Sequence, residues 1–187
     1  MNPFSSKPWF AVLGFSMLVL SSYFLAPLTW AQEKHPINIS SEGVKSRYIQ
    51  QLAIDVGDVP DHQVRVLENQ RVFPADKQPI VDGERVVEMW GRGFSNYSGG
   101  VGPSWGYGVW ITEKGNKIFL DYSGTAESQV TDTGSKRGTY HGTSRLTGGT
   151  GRFSKIRGHL VEVTKFDNDP KSGYVIGDSH GQYWFEE

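Results

Sequence analysis

The chain has no cysteine among its 187 residues, and that absence excludes two things at once. No disulfide can staple the fold, and no lipid can be attached through a lipobox cysteine. A charge excess is missing as well: 19 basic residues stand against 20 acidic ones, a formal net charge of −1. Surfaces built for nucleic acid or anionic membrane carry a basic excess, so no nucleic-acid partner is expected. Metal-ligand spacing is absent too. His62, His141, His159 and His180 fall on separate segments, with no HxH or HExxH pair, so no metal site and no cofactor is expected. No serine sits in a strand-turn-helix elbow, and no GGTG turn here is followed by Lys-Ser/Thr and a helix that would cradle phosphate.

What is present begins with an apolar N-terminal run. Phe10 to Leu25 is broken only by Gly14, Ser16, Ser21 and Ser22, with Lys7 before it and Pro27 after. Its sixteen residues fall short of the ~20 that span a bilayer. Thr29-Trp30-Ala31 then offers small residues at −3 and −1 for cleavage after Ala31. Residues 1–31 are therefore expected to be a signal peptide and the protein secreted or periplasmic, with no membrane attachment once the signal is cleaved. A retained anchor is the alternative. Removing 31 of 187 residues leaves 156, and losing Lys7 leaves 18 basic against 20 acidic residues, a net charge of −2. One domain follows from that length: a flexible leader over 32–43 and a single β domain over 44–187.

Within the domain, 23 glycines and a 13% aromatic content suggest tight turns between half-buried strands. Val44 to Val56 is ambiguous, since Val44, Tyr48, Ile49 and Leu52 have helical spacing while Leu52, Ile54 and Val56 alternate; a short helix running into a first strand is the expectation. Strands are then expected over His62–Phe73, Arg85–Phe94, Trp105–Thr112, Lys117–Thr125, Gly138–Leu146, His159–Phe166 and Tyr174–Phe185. Pro74–Asp82, Asn96–Ser104, Ala126–Ser135 and Asn168–Gly173 read as loops or turns. Short strands with regular turn signals and no helices between them argue for an antiparallel barrel or sandwich. The in-strand glycines Gly91, Gly93, Gly106, Gly108 and Gly142 suit the bends of a small closed barrel.

The most informative stretch is Gly138 to Gly158. Thr139, His141, Thr143, Arg145 and Thr147 alternate with Tyr140, Gly142, Ser144 and Leu146, a two-residue period. Gly148-Gly149-Thr150-Gly151 follows as a turn with three positions free to take positive φ. This GTYHGTSRLTGGTGRFSKIRGHL segment resembles the TGGTG-F turn of the allene oxide cyclase and dirigent proteins. Val66-Leu67-Glu68-Asn69 is similar to the strand that opens the cyclase barrel. The resemblance covers roughly residues 62–166 and implies a small antiparallel eight-stranded barrel with a ligand-sized interior. It also makes Glu68 the position matching the glutamate that promotes ring closure in the cyclases. The cyclases' asparagine two residues on is Gln70 here, and their pocket cysteine has no counterpart. A homo-oligomer, dimer or trimer, is a further implication.

Glu68 and Gln70 share a direction with Val64, Val66 and Val72, and Glu88, Trp90, Arg92 and Phe94 share one on the next strand. Facing inward, they would place two carboxylates, a guanidinium and an indole in the interior, with Glu68, Glu88 and Arg92 as candidate acid/base and charge-stabilising groups. Instead of a chemical role, Arg92 could form a structural ion pair with Glu88 on its own strand or with Glu68 across strands. The opposite polarity, with all of these residues facing water, is a separate alternative. Gln70, Trp90, Phe94, Trp105, Tyr107, Tyr122 and His141 are the candidate ligand-binding residues. Three functions fit: a barrel binding a small, largely apolar molecule; an isomerase or cyclase; and a non-catalytic partner-binding or structural barrel.

Overall fold

The computed structural model describes residues 32–130, 136–167 and 175–187. The expected signal peptide, the turn over 168–173 and the end of the expected connection over 126–135 lie outside the described residues. The rest is antiparallel β-structure. Among the described residues ten strands are formed: β1 (His35–Ser40), β2 (Lys45–Asp55), β3 (His62–Val72), β4 (Ile80–Val81), β5 (Glu84–Ser98), β6 (Gly102–Thr112), β7 (Lys117–Val130), β8 (Lys136–Gly149), β9 (Ile156–Asp167) and β10 (Val175–Phe185). Their ladder runs β1-β10-β9-β8-β7-β6-β5-β3-β2, with the short β4 paired to β5.

The loops expected over Asn96–Ser104 and Ala126–Ser135 are shortened, since β5 runs to Ser98, β6 starts at Gly102 and β7 runs to Val130. Three larger expectations change. The stretch 32–43, expected as a flexible leader, carries β1, which pairs with β10 from His35↔Tyr183 to Ser40↔Asp178. The helix expected from Val44 is instead β2, whose register against β3 shifts between Tyr48 and Gln50. That bulge breaks the two-residue period and spaces the apolar residues as a helix would. Finally, the eight-stranded closed barrel gives way to a ten-stranded sheet whose ladder stays open. β1 and β2 are its two ends, joined by residues 41–44 and by no ladder.

The sheet nonetheless curls until its two halves face each other. Arg71 on β3 lies 3.6 Å from Glu162 on β9, although β5, β6, β7 and β8 separate those strands in the ladder. Inward residues change character along the strand direction. One end holds the apolar core: Met89, Trp110, Ile118, Leu120, Leu146, Leu160 and Tyr183, with Ile37 and Ile39 from β1. A 3-10 turn at Gly151–Phe153 drives Phe153 into this core with no exposed surface.

The GGTG turn is held by specific contacts. Lys117 N–H donates to Thr150 Oγ1 at 2.8 Å, and Gly151, at φ 56°, sits where a Cβ would strike the Asn116 side chain. Gly148 also takes positive φ, at 144°, whereas Gly149 does not. Beside the turn, Glu84 is only 1% exposed. Its carboxylate accepts from Thr112 Oγ1 at 2.7 Å and from Asn116 Nδ2 at 3.1 Å, with Lys114 and Arg152 nearby. Burial alone would push this carboxyl up. The Thr112 and Asn116 hydrogen bonds and the two cations outweigh it and hold the pKa below the ordinary value.

Candidate functional site

At the other end of the curled sheet the inward side chains leave a cavity of about 170 Å³. Register explains why. The row Leu67, Gly93, Gly106, Tyr122, Ser144, Leu160 crosses the interior, and the next row is Arg65, Ser95, Ser104, Gly124, Gly142, Glu162. Glycines and serines supply little side-chain volume there, so the sheet floor is bare. Two phenols lie on it. A Cβ at Gly93 or Gly106 would strike the Tyr122 hydroxyl, and one at Gly124 or Gly142 would strike the Tyr140 ring. These glycines are seats for tyrosine rings, a more local task than the barrel bends expected of them.

The cavity is walled by Tyr48, Tyr97, Tyr122 and Tyr140, with Arg71 and Glu162 at its side. Burial pushes the Tyr122 hydroxyl up to about 12, with Arg71 opposing and Glu162 reinforcing. Tyr140 is pushed up by burial first and by Glu162 next, and Tyr97 by burial against the pull of Arg65. All three are neutral hydroxyl donors across the physiological range. Glu162 accepts from Thr164 Oγ1 at 2.7 Å. Among the described residues, two buried side-chain polar atoms are without a hydrogen-bond partner: Arg71 Nε and the Tyr140 hydroxyl. Buried donors are normally satisfied, so these two stand out as donors with hydrogen-bonding capacity to spare.

The residues named from sequence lie mostly elsewhere. Glu68, Glu88, Gln70, Arg92, Phe94, Trp105, Tyr107 and His141 do not border the cavity, whereas Trp90 and Tyr122 do. On the strand faces considered as possible interior walls, Val66 at 49% exposed, Phe94 at 42% and Tyr107 at 68% turn to solvent, whereas Gln70 is buried and Trp90 borders the cavity. On this outer side Arg92 Nη2 meets Glu68 Oε1 at 2.7 Å and stacks over Trp90 at 5.3 Å. Gln70 bridges two strands, accepting from Arg47 Nε at 2.7 Å and donating to Glu88 Oε1 at 2.6 Å. Phe94 and Trp105 stack at 5.9 Å, and His141 lies 3.9 Å from Glu127. Of the two expected pairings for Arg92, the cross-strand one with Glu68 is present.

Sequence reasoning missed Tyr48, Tyr97, Tyr140, Arg65, Arg71 and Glu162. Their signal was available in the glycines. Gly91, Gly93, Gly106, Gly108 and Gly142 share the inward face, and following the register from them leads to Leu67, Asn69 and Arg71 rather than to the valines of β3. Among the described residues no three of His, Cys, Asp or Glu come together in a metal-binding group. No family model matches the chain, and no curated protein matches it either.

Proposed function

We propose that this protein binds a small molecule in the tyrosine-walled cavity, and that binding is its function. The observation that carries the reading is the pair of unpartnered buried donors, Arg71 Nε and the Tyr140 hydroxyl, on two residues that line a cavity bounded by aromatic rings. Such a site suits a compact, largely apolar skeleton carrying one oxygen acceptor. The skeleton packs on the rings, and the acceptor takes the two free hydrogen bonds. The volume limits the skeleton to about one ring, since an apolar cavity of about 150 Å³ holds benzene.

Two further features belong to this proposal. The architecture is read as an opened relative of the allene oxide cyclase and dirigent barrels, on the GGTGRF turn and the Val66–Glu68 strand. Export is read from Lys7, the apolar run and the cleavage site after Ala31; a mature N-terminus at Gln32, found by N-terminal sequencing, is the expected outcome.

The binding experiment uses phenol and benzoate as probes, followed by amide shifts in NMR spectra. Saturable shifts confined to residues around the cavity, weakened in Tyr140→Phe and Arg71→Met, support the reading. Absence of saturable shifts with both probes, together with no small molecule in native mass spectra of the purified protein, would sink it.

A further inference from the structure

The two ends of the open sheet are not alike. β1 is short and carries Pro36, two of the devices by which proteins blunt a sheet edge. β2 is eleven residues long, and from Ile49 to its end at Asp55 it has neither proline nor lysine. Every residue from Ile49 to Val56 is exposed, Leu52 at 60% and Ile54 at 57%. Among the described residues β3 is the only ladder neighbour of β2.

The hydrogen-bonding direction along this half-strand follows from one contact. Val56 N–H donates to the His62 carbonyl at 2.9 Å, so Val56 points its backbone groups toward β3. In an antiparallel ladder that direction alternates. Ile54 and Leu52 therefore also face β3, and Gln51, Ala53 and Asp55 present N–H and C=O outward, a template that no strand among the described residues occupies.

We propose that this edge pairs with the same edge of a second copy of the chain, antiparallel, across a two-fold axis at Ala53. The strand complements itself in that register. Ala53 meets its own copy in a hydrogen-bonded pair, and Gln51 meets Asp55 twice, each an amide donor opposite a carboxylate acceptor. Leu52 meets Ile54 twice in the pairs where cross-strand side chains come closest. An isologous two-fold contact requires this kind of self-match. The outer face strengthens it, because Leu52, Ile54, Val64, Val66, Phe94 and Trp105 form an exposed apolar patch running back from the edge. Pairing through β2 brings two such patches side by side on one continuous sheet.

The test uses sedimentation velocity on the full chain and on two variants. Ala53→Pro removes an N–H that the monomer does not use, so the fold is retained and far-UV circular dichroism is unchanged. The expected result is a dimer for the wild type and a dissociation constant about tenfold higher or more for A53P. Ala53→Cys adds the only cysteine of the chain at a symmetric pair whose Cα atoms lie about 5.5 Å apart, within disulfide range. Mild oxidation should give a covalent dimer, whereas Ser123→Cys, on the outer face far from the edge, should not. A wild type that stays monomeric up to about millimolar concentration overturns the proposal. So does a dimer or trimer indifferent to A53P, or a β2 edge found occupied by a different protein or by the N-terminal segment.

Discussion

Arg71 and Glu162 face each other across the interior at 3.6 Å, from strands that stand four strands apart in the ladder. Neither side chain is far from water, at 24% and 15% exposure, but Glu162 has only Thr164 as its other donor. The pair therefore ties the two walls of the curled sheet while leaving Arg71 Nε free. Removing one partner should cost more than removing both. We expect Arg71→Met to destabilise the protein by about 1–3 kcal/mol, because it leaves a half-buried carboxylate underpaired. The double variant with Glu162→Gln should recover part of that loss. Urea unfolding of the four members of the cycle measures the coupling, and strict additivity would contradict the tie.

Tyr122 gives an alkaline prediction. Its hydroxyl is raised from the ordinary value near 10 to about 12 in the folded protein, chiefly by burial. A raised folded-state value means that the stability contribution is complete below the unfolded value and is lost as pH rises through the folded one. Stability should therefore fall between about pH 10 and 12, by about 1–2 kcal/mol from this residue. Tyr122→Phe should flatten that part of the profile. Ultraviolet titration of tyrosinate, read beside thermal unfolding at each pH, checks both statements.

His62 gives a prediction nearer neutrality. Its Nε2 lies 2.7 Å from Asn96 Oδ1 and its Nδ1 lies 2.5 Å from Asp58 Oδ1, so two acceptors flank one ring. The Asn96 contact and then the Asp58 contact raise its pKa, while the His62 and Val59 N–H contacts lower that of Asp58. The histidine's contribution is present below its unfolded value of 6.5 and disappears as pH rises through its raised folded value. The aspartate's is present above 3.8 and disappears as pH falls through its lowered one. The hairpin joining β2 to β3 should accordingly be best held in mildly acidic solution. Asp58→Asn should lower the His62 titration midpoint seen by NMR; an unchanged midpoint would refute the pairing.

Glu84 should be sensitive to acid for the opposite reason. Thr112, Asn116 and two cations hold it ionised in a site with 1% exposure. Its contribution is complete above the ordinary carboxylate value and is lost as pH falls through the lowered folded value. Glu84→Gln should cost about 1–3 kcal/mol at neutral pH, since one carboxylate accepts both side chains. The loss should shrink in acid, which chemical unfolding at two pH values will read.

Much of the fold was legible in the sequence, and the failures have local causes. Alternation marks β3, β5 and β8, turn signals bound β6, β7, β9 and β10, and the Gly138–Gly158 segment shows both its faces and its turn. β2 was misread because the bulge at Tyr48/Gln50 converts an alternating pattern into apparent helical spacing. β1 was passed over because a polar six-residue edge strand with a proline has no period to detect.

The site was harder to read. A run such as Val64, Val66, Val72 ordinarily signals a buried face, and here that face is outside. The inward face of β3 carries Arg65, Asn69 and Arg71, residues that look solvent-bound until the bare glycine floor opposite them is recognised.

The open ladder has a mechanical meaning. A hoop of strands has a fixed girth, because widening it must tear hydrogen bonds somewhere. This sheet is a scroll: among the described residues its margins β1 and β2 are joined along the backbone by residues 41–44 and otherwise by side-chain packing. Unrolling it by a few ångströms strains side-chain contacts such as Arg71–Glu162 and breaks no strand pairing. The girth of the chamber is thus governed by a clasp of side chains, and the rigidity of the wall is separate from the size of the space it encloses.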